Sequence, residues 1–146
     1  MTHQSPKGQL SGRISEKISQ RMKAVRRRDT KPELAVRRLL WEAGARFRLC
    51  ARDLPGTPDI ANKTARWAIF VNGCFWHGHR NCPLATLPKR NQGFWKTKLA
   101  NNRARDARKA RALRGLGYKV FVVWQCELRA PDAVSRRFVK AGVTKR

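Results

Sequence analysis

The segment VNGCFWHGHRNC (71–82) constrains this chain more than any other, because it sets two Cys and two His directly after an unbroken apolar run, Trp67 to Val71. Such a run, without polar alternation, predicts a strand covered on both faces. In the loop, Cys74, His79 and Cys82 have the donor types and spacing of three zinc ligands, since thiolates and imidazole suit a borderline-soft, tetrahedral ion. Cys126 is the best candidate for the fourth ligand, because it lies just beyond the clearest strand of the chain, YKVFVVW (118–124). Cys50 is its rival and reads instead as a buried core thiol. Four protein ligands would make the ion structural, pinning a loop that has little to bury.

His77 sits inside the same loop and is not needed by the metal. A neutral imidazole is the natural general base near physiological pH, and an exposed loop His or an alternate zinc ligand is the plainer alternative. The pair Phe75-Trp76 falls between the ligands. Large apolar residues there either join a core or stack on bases, and Trp95 can join them.

The remaining pattern is α/β. Residues 1–15 are polar and read as a flexible tail, followed by a helix from Ile14 to about Arg28 with Arg21, Lys23, Arg26, Arg27 and Arg28 in its second half and no acid there to pair them. Thr30-Lys31-Pro32-Glu33 fits a capping box at the start of a second helix, with Leu34, Leu39, Leu40 and Trp41 as its apolar surface and Gly44 as its stop. A short strand near Phe47–Cys50, the turn LPGTPD (54–59) and a strand pair joined at Asn62-Lys63 come next. A long helix from about Gly93 to Leu116 places Trp95, Leu99, Asn102, Asp106, Ala110 and Leu113 on one face. The domain expected from these elements covers 16–130, and 131–146 reads as a basic C-terminal tail.

Charge narrows the partner. Lys and Arg number 34 against 9 Asp and Glu, a formal net charge of +25, which makes a polyanion the default ligand. No apolar run approaches the length of a membrane span, and no signal-peptide pattern opens the chain, so an intracellular, cytoplasmic protein is expected. With so few acids, each can be weighed. Asp59 follows Pro58 and opens a strand beside the apolar one, where a carboxylate could hold Mg²⁺ together with a backbone carbonyl and substrate phosphate oxygens. Asp106, on the inward face of the long helix, either orients a site group or pairs with a structural Arg. Glu33 reads first as a capping residue.

At these residues the sequence resembles the very short patch repair (Vsr) DNA mismatch endonucleases. The resemblance runs from about Arg21 to Leu128 through RMKAVRRRDTKPE (21–33), LPGTPD (54–59), AIFVNGCFWHGHRNC (68–82), FWKTKLANNRARD (94–106) and YKVFVVWQCEL (118–128). It implies a restriction-endonuclease-like α/β fold, a mixed β-sheet flanked by helices, with a structural Zn²⁺ site and a Mg²⁺-dependent centre. It implies nicking of bacterial double-stranded DNA, by a monomer, beside the T of a T·G mismatch left by deamination of 5-methylcytosine. By motif, Asp59 resembles the Mg²⁺-binding carboxylate, the Val71 backbone carbonyl a second Mg²⁺ ligand, Glu33 an acid near the metal waters and His77 the base. Cys74, His79, Cys82 and Cys126 match the zinc ligands, and Phe75, Trp76 and Trp95 the aromatics that enter the base stack. The chain also departs from the family. Asn72 stands where the best-known members have a His, and an amide cannot take up a proton; the loop spacing of the last two zinc ligands is one residue longer. The acidic-x-Lys signature usual in this fold is replaced by Phe70-Val71-Asn72. A related nuclease with another substrate, and a non-catalytic zinc-stabilised nucleic-acid-binding protein, are the other readings of the same residues.

Overall fold

A computed structural model of the chain describes residues 29–145. The expected N-terminal tail and basic helix, including Arg21, Lys23, Arg26, Arg27 and Arg28, lie outside the described residues. Helix α1 (Lys31–Glu42) is followed by strands β1 (Arg48–Leu49), β2 (Ile60–Asn62) and β3 (Trp67–Asn72), the long helix α2 (Gln92–Gly115), strand β4 (Lys119–Trp124) and helix α3 (Pro131–Lys140). The strands form one mixed sheet in the order β1-β2-β3-β4. β2 pairs with β1 and β3 antiparallel, and β3 pairs with β4 parallel, the crossover being the loop after β3 and α2.

The apolar run of β3 is explained by its place between two neighbours and two covering layers. Trp67, Ile69 and Val71 point to the face closed by Val36 and Leu40 of α1 and by Val134 and Phe138 of α3. The alternate residues Ala68 and Phe70 face the other layer, where Leu113 of α2 packs with Ala51, Leu54 and Ala61. Burial on both faces removes the need for polar alternation.

Two expectations change. The apolar surface of α1 is carried by Val36 and Leu40, one turn apart, with Leu39 packed at the margin, whereas Leu34 and Trp41 are 47% and 77% exposed. The segment read as a basic C-terminal tail instead contains α3, and its Val134, Phe138 and Val143 complete the core. No helix among the described residues is long and apolar enough to cross a membrane.

Candidate active site

The parallel register determines where the loop residues meet. The ladder ends at Asn72 opposite Trp124, so both chains leave the sheet at the same end. Cys74 and Cys126 each lie two residues beyond that last pair, and the Cys126 amide donates to Cys74 Sγ at 3.4 Å. The loop then coils back on itself through His77 N–H to Gly73 O, Gly78 N–H to Phe75 O and His79 N–H to Cys74 O. This brings Cys74, His79, Cys82 and Cys126 together, with one ligand atom from each inside a 4.8 Å span. Bonds of about 2.3 Å at tetrahedral angles separate sulfur ligands by about 3.8 Å, so the donor set and its spacing fit zinc. His79 Nδ1, 3.5 Å from Cys126 Sγ, is the nitrogen that faces the cluster. Burial pushes the Cys74 thiol up to about 12. At Cys82 burial is outweighed by hydrogen bonds involving the Leu84 amide and the neighbouring thiols, and the net shift is downward. Cys50 is outside the group and half-buried rather than a core thiol.

Trp124 carries no signal of a site role in the sequence, yet its ring stacks on His79 at 4.0 Å with only 9° between planes. Only the parallel register, invisible in the primary structure, makes that contact legible.

Helix α2 grips the loop from the other side. Its predicted inward face is observed: Trp95, Leu99, Ala110 and Leu113 are buried, and the two polar positions turn to the loop. Asn102 Nδ2 donates to Trp76 O at 2.8 Å, and Asp106 Oδ2 lies 2.6 Å from His77 Nδ1. The structural-Arg alternative for Asp106 is therefore not the arrangement found. A carboxylate oxygen here can only accept from an imidazole N–H, so in the neutral ring the proton sits on Nδ1 and the lone pair on Nε2.

Asp59 lies where β2 opens. The β2–β3 ladder stops at Ile60 opposite Ile69, and Asp59 Oδ2 accepts the next free amide, Val71 N–H, at 2.7 Å. Burial raises its pKa from 3.8 to about 6, against the hydrogen bond from Val71; the charge of Glu33 raises it further, while those of His77 and Lys109 lower it. Glu33, Asp59, His77 and, through His77, Asp106 thus form one electrostatic group drawn from α1, β2, the loop and α2. Glu33 is only 4% exposed and lies 3.4 Å from Arg37. Asn72 is buried at the end of β3.

The aromatics form a mutual cluster. Ring centroids are 5.1 Å apart for Phe75–Trp76, 5.3 Å for Phe75–Trp95 and 6.0 Å for Trp76–Trp95. Trp95 is buried, Phe75 and Trp76 half-buried. Phe94, whose place next to Trp95 in the sequence gives no sign of a site role, is 55% exposed and adds an edge contact to Trp95 at 5.3 Å. Beside it runs a groove of about 570 Å³ lined by Phe94, Thr97, Lys98, Asn101, Asn102 and Arg105.

The mixed sheet flanked by helices, the partly buried carboxylate where β2 opens and the carboxylate-bound histidine on the Cys/His loop fit the restriction-endonuclease-like class of α/β proteins. Comparison with known proteins narrows this. The sequence model described as "DNA mismatch endonuclease Vsr" matches residues 14–83. The Type II nicking enzyme V.XorIIP of Xanthomonas oryzae pv. oryzae is 52% identical over 116 residues, 80% of this chain and 85% of that one. The DNA mismatch endonuclease Vsr of Escherichia coli is 38% identical over 117 residues, covering 80% of this chain and 74% of its own. The Type II nicking enzyme V.NmeAIP of Neisseria meningitidis is 39% identical over 108 residues, 74% of this chain and 76% of that one. The chain belongs to the Vsr family of DNA mismatch endonucleases.

Proposed function

We propose that the protein, as a single chain on the duplex, uses Mg²⁺ to nick one strand of double-stranded DNA 5′ of the T in a T·G mismatch. The observation that carries the reading is the 2.6 Å contact of Asp106 with His77, in a group whose charges act on the half-buried Asp59. Burial and the charge of Glu33 raise the cost of ionising Asp59 there, and a divalent cation with oxygen preference would relieve it. Asp59 and the Val71 carbonyl would hold that ion, with Glu33 near its waters. Bound Mg²⁺ neutralises charge on the phosphate oxygens.

The chain's own residues do the rest. His77, held by Asp106 with Nδ1 protonated, accepts the proton of the attacking water at Nε2. Asn72 has no proton-accepting role, so the base work falls to His77. Cys74, His79, Cys82 and Cys126 hold Zn²⁺ and with it the loop that presents His77. Phe75, Trp76 and Trp95 enter the stack at the mismatch, where unstacking costs least. The +25 charge grips the backbone without reading sequence.

The test is a panel of duplexes with and without Mg²⁺. The T·G duplex should be nicked about 100-fold faster than the fully paired one. Equal rates on every mismatch would favour a related nuclease of this fold, and intact binding without cleavage under any metal would leave only a DNA-binding role. Asp106→Asn checks the base. An amide can donate to Nδ1 and so stabilise the wrong tautomer, and nicking should slow about 100-fold with DNA affinity unchanged. Unchanged nicking in that variant would detach His77 from the chemistry.

A further inference from the structure

The long helix carries one more residue to the carboxylate turn. Lys109 follows Asp106 by three positions and shares its side of α2. Its stem lies directly on Gly56 of the LPGTPD turn: a Cβ at Gly56 would fall 2.5, 2.6 and 2.9 Å from Cγ, Cβ and Cδ of Lys109. Gly56 also has φ +75°, so the turn that ends in Asp59 is shaped to let this side chain pass. Lys109 is half-buried. Among the described residues, none of the ion pairs or side-chain hydrogen bonds involves its ammonium.

A braced, half-buried cation with no ion-pair or hydrogen-bond partner among the described residues is unusual, because burial favours pairing. Its charge nevertheless reaches Asp59, where it opposes the effect of burial on the carboxyl. The neighbouring strand offers nothing of the kind, since β3 ends in Phe70-Val71-Asn72. An anion arriving with the substrate would complete the arrangement.

We propose that Lys109 binds the phosphate of the bond to be cut, its stem braced on Gly56 and its ammonium supplied from α2 where β3 has no cation. The proposal rests on the nicking reading above for the identity of that phosphate, the one 5′ of the mismatched T. An ammonium there would orient the phosphate toward the water held by His77 and share its charge, a contribution distinct from the non-specific grip of the surface charges.

The experiment is a cycle across the protein–DNA contact, on the full chain without added divalent metal. Wild type, Lys109→Met and Lys109→Arg are titrated with T·G duplexes carrying a neutral methylphosphonate either 5′ of the T or several nucleotides away. At the first position wild type and Lys109→Arg should lose about tenfold in affinity, and Lys109→Met less than about twofold. At the remote position all three should lose equally. Equal losses for wild type and Lys109→Met at the first position would overturn the proposal. Adding Mg²⁺ separates the two readings. A wild type that nicks none of the mismatched duplexes refutes the proposed function while the metal-free coupling still decides Lys109. With wild type active, nicking by Lys109→Met should fall about 30-fold, restored in part by Lys109→Arg; a wild-type rate in Lys109→Met would also overturn the role assigned to Lys109.

Discussion

Asp59→Asn should lose at least about a thousandfold in Mg²⁺-dependent nicking and, at neutral pH without metal, be more stable than wild type. Both effects come from one carboxylate placed where a carboxylate is costly. Burial, and the nearby charge of Glu33, raise its pKa from 3.8 to about 6, more than the Val71 hydrogen bond and the charges of His77 and Lys109 bring it down. A folded-state pKa above the unfolded one means that folding favours the protonated acid. That stabilisation is complete below the unfolded value of 3.8 and is lost as pH rises through about 6. Above that, the ionised Asp59 costs the metal-free fold on the order of 2 kcal/mol, allowing for its partial exposure to solvent. Asparagine removes the charge yet retains an oxygen for Val71 N–H. Thermal melts between pH 4 and 8 in a chelator check the point: wild type should lose stability relative to Asp59→Asn up to about pH 6 and run parallel above it. Added Mg²⁺ should raise the melting temperature of wild type alone. Identical pH dependence in the two proteins would show that Asp59 ionises without cost and is not poised for a cation.

The same carboxylate shows how far the sequence was legible. Pro58-Asp59 beside an apolar strand marked a site because acids are scarce in this chain, and a scarce residue type is easy to weigh. The helical period of α2 put Asn102 and Asp106 on a face with Trp95 and Leu99, and polar positions on an inward face imply a polar partner, which the loop supplies. Contacts that depend on register could not be read that way. Trp124 meets His79 only because β4 runs parallel to β3, and Lys109 meets Gly56 only through the packing of α2 on the turn. Basic surface also hides amphipathic helices. In PDAVSRRFVK the charges of Arg136, Arg137 and Lys140 dominate composition, while the core contribution comes from Val134 and Phe138 alone, one turn apart. Trp41 shows the converse, a large apolar side chain that stays in solvent.

Cys74→Ser should abolish zinc binding and, with it, more than about 99% of nicking activity, although Cys74 touches neither Asp59 nor Asp106. Wild type should carry about one zinc per chain by metal analysis, and the variant none. The reason is the order of residues along the loop. His77 lies between Cys74 and His79, and Phe75 and Trp76 lie beside it, so the proposed ligands are also the ends of the segment that carries the proposed base. Besides its own turns and its aromatic contacts, the loop is held by side-chain hydrogen bonds with Asn102, Arg103 and Asp106 of α2 and with Gln125. Isolated bonds of this kind contribute about 1 kcal/mol each, too little to order a dozen residues against their conformational entropy. The thiol that anchors the cluster is fully buried, and its pKa near 12 means that without metal it stays neutral and packs as a small apolar group. Loss of zinc should therefore leave the sheet and its two apolar layers folded while freeing the loop. Far-ultraviolet circular dichroism should change little, whereas tryptophan fluorescence should shift, because Trp76 leaves its aromatic neighbours and Trp124 loses the ring of His79. A Cys74→Ser protein that keeps both its zinc and its nicking rate would remove the cluster from the site. One that loses zinc yet nicks at the wild-type rate would mean that α2 alone holds His77 in place, and that the metal serves stability rather than the presentation of the base.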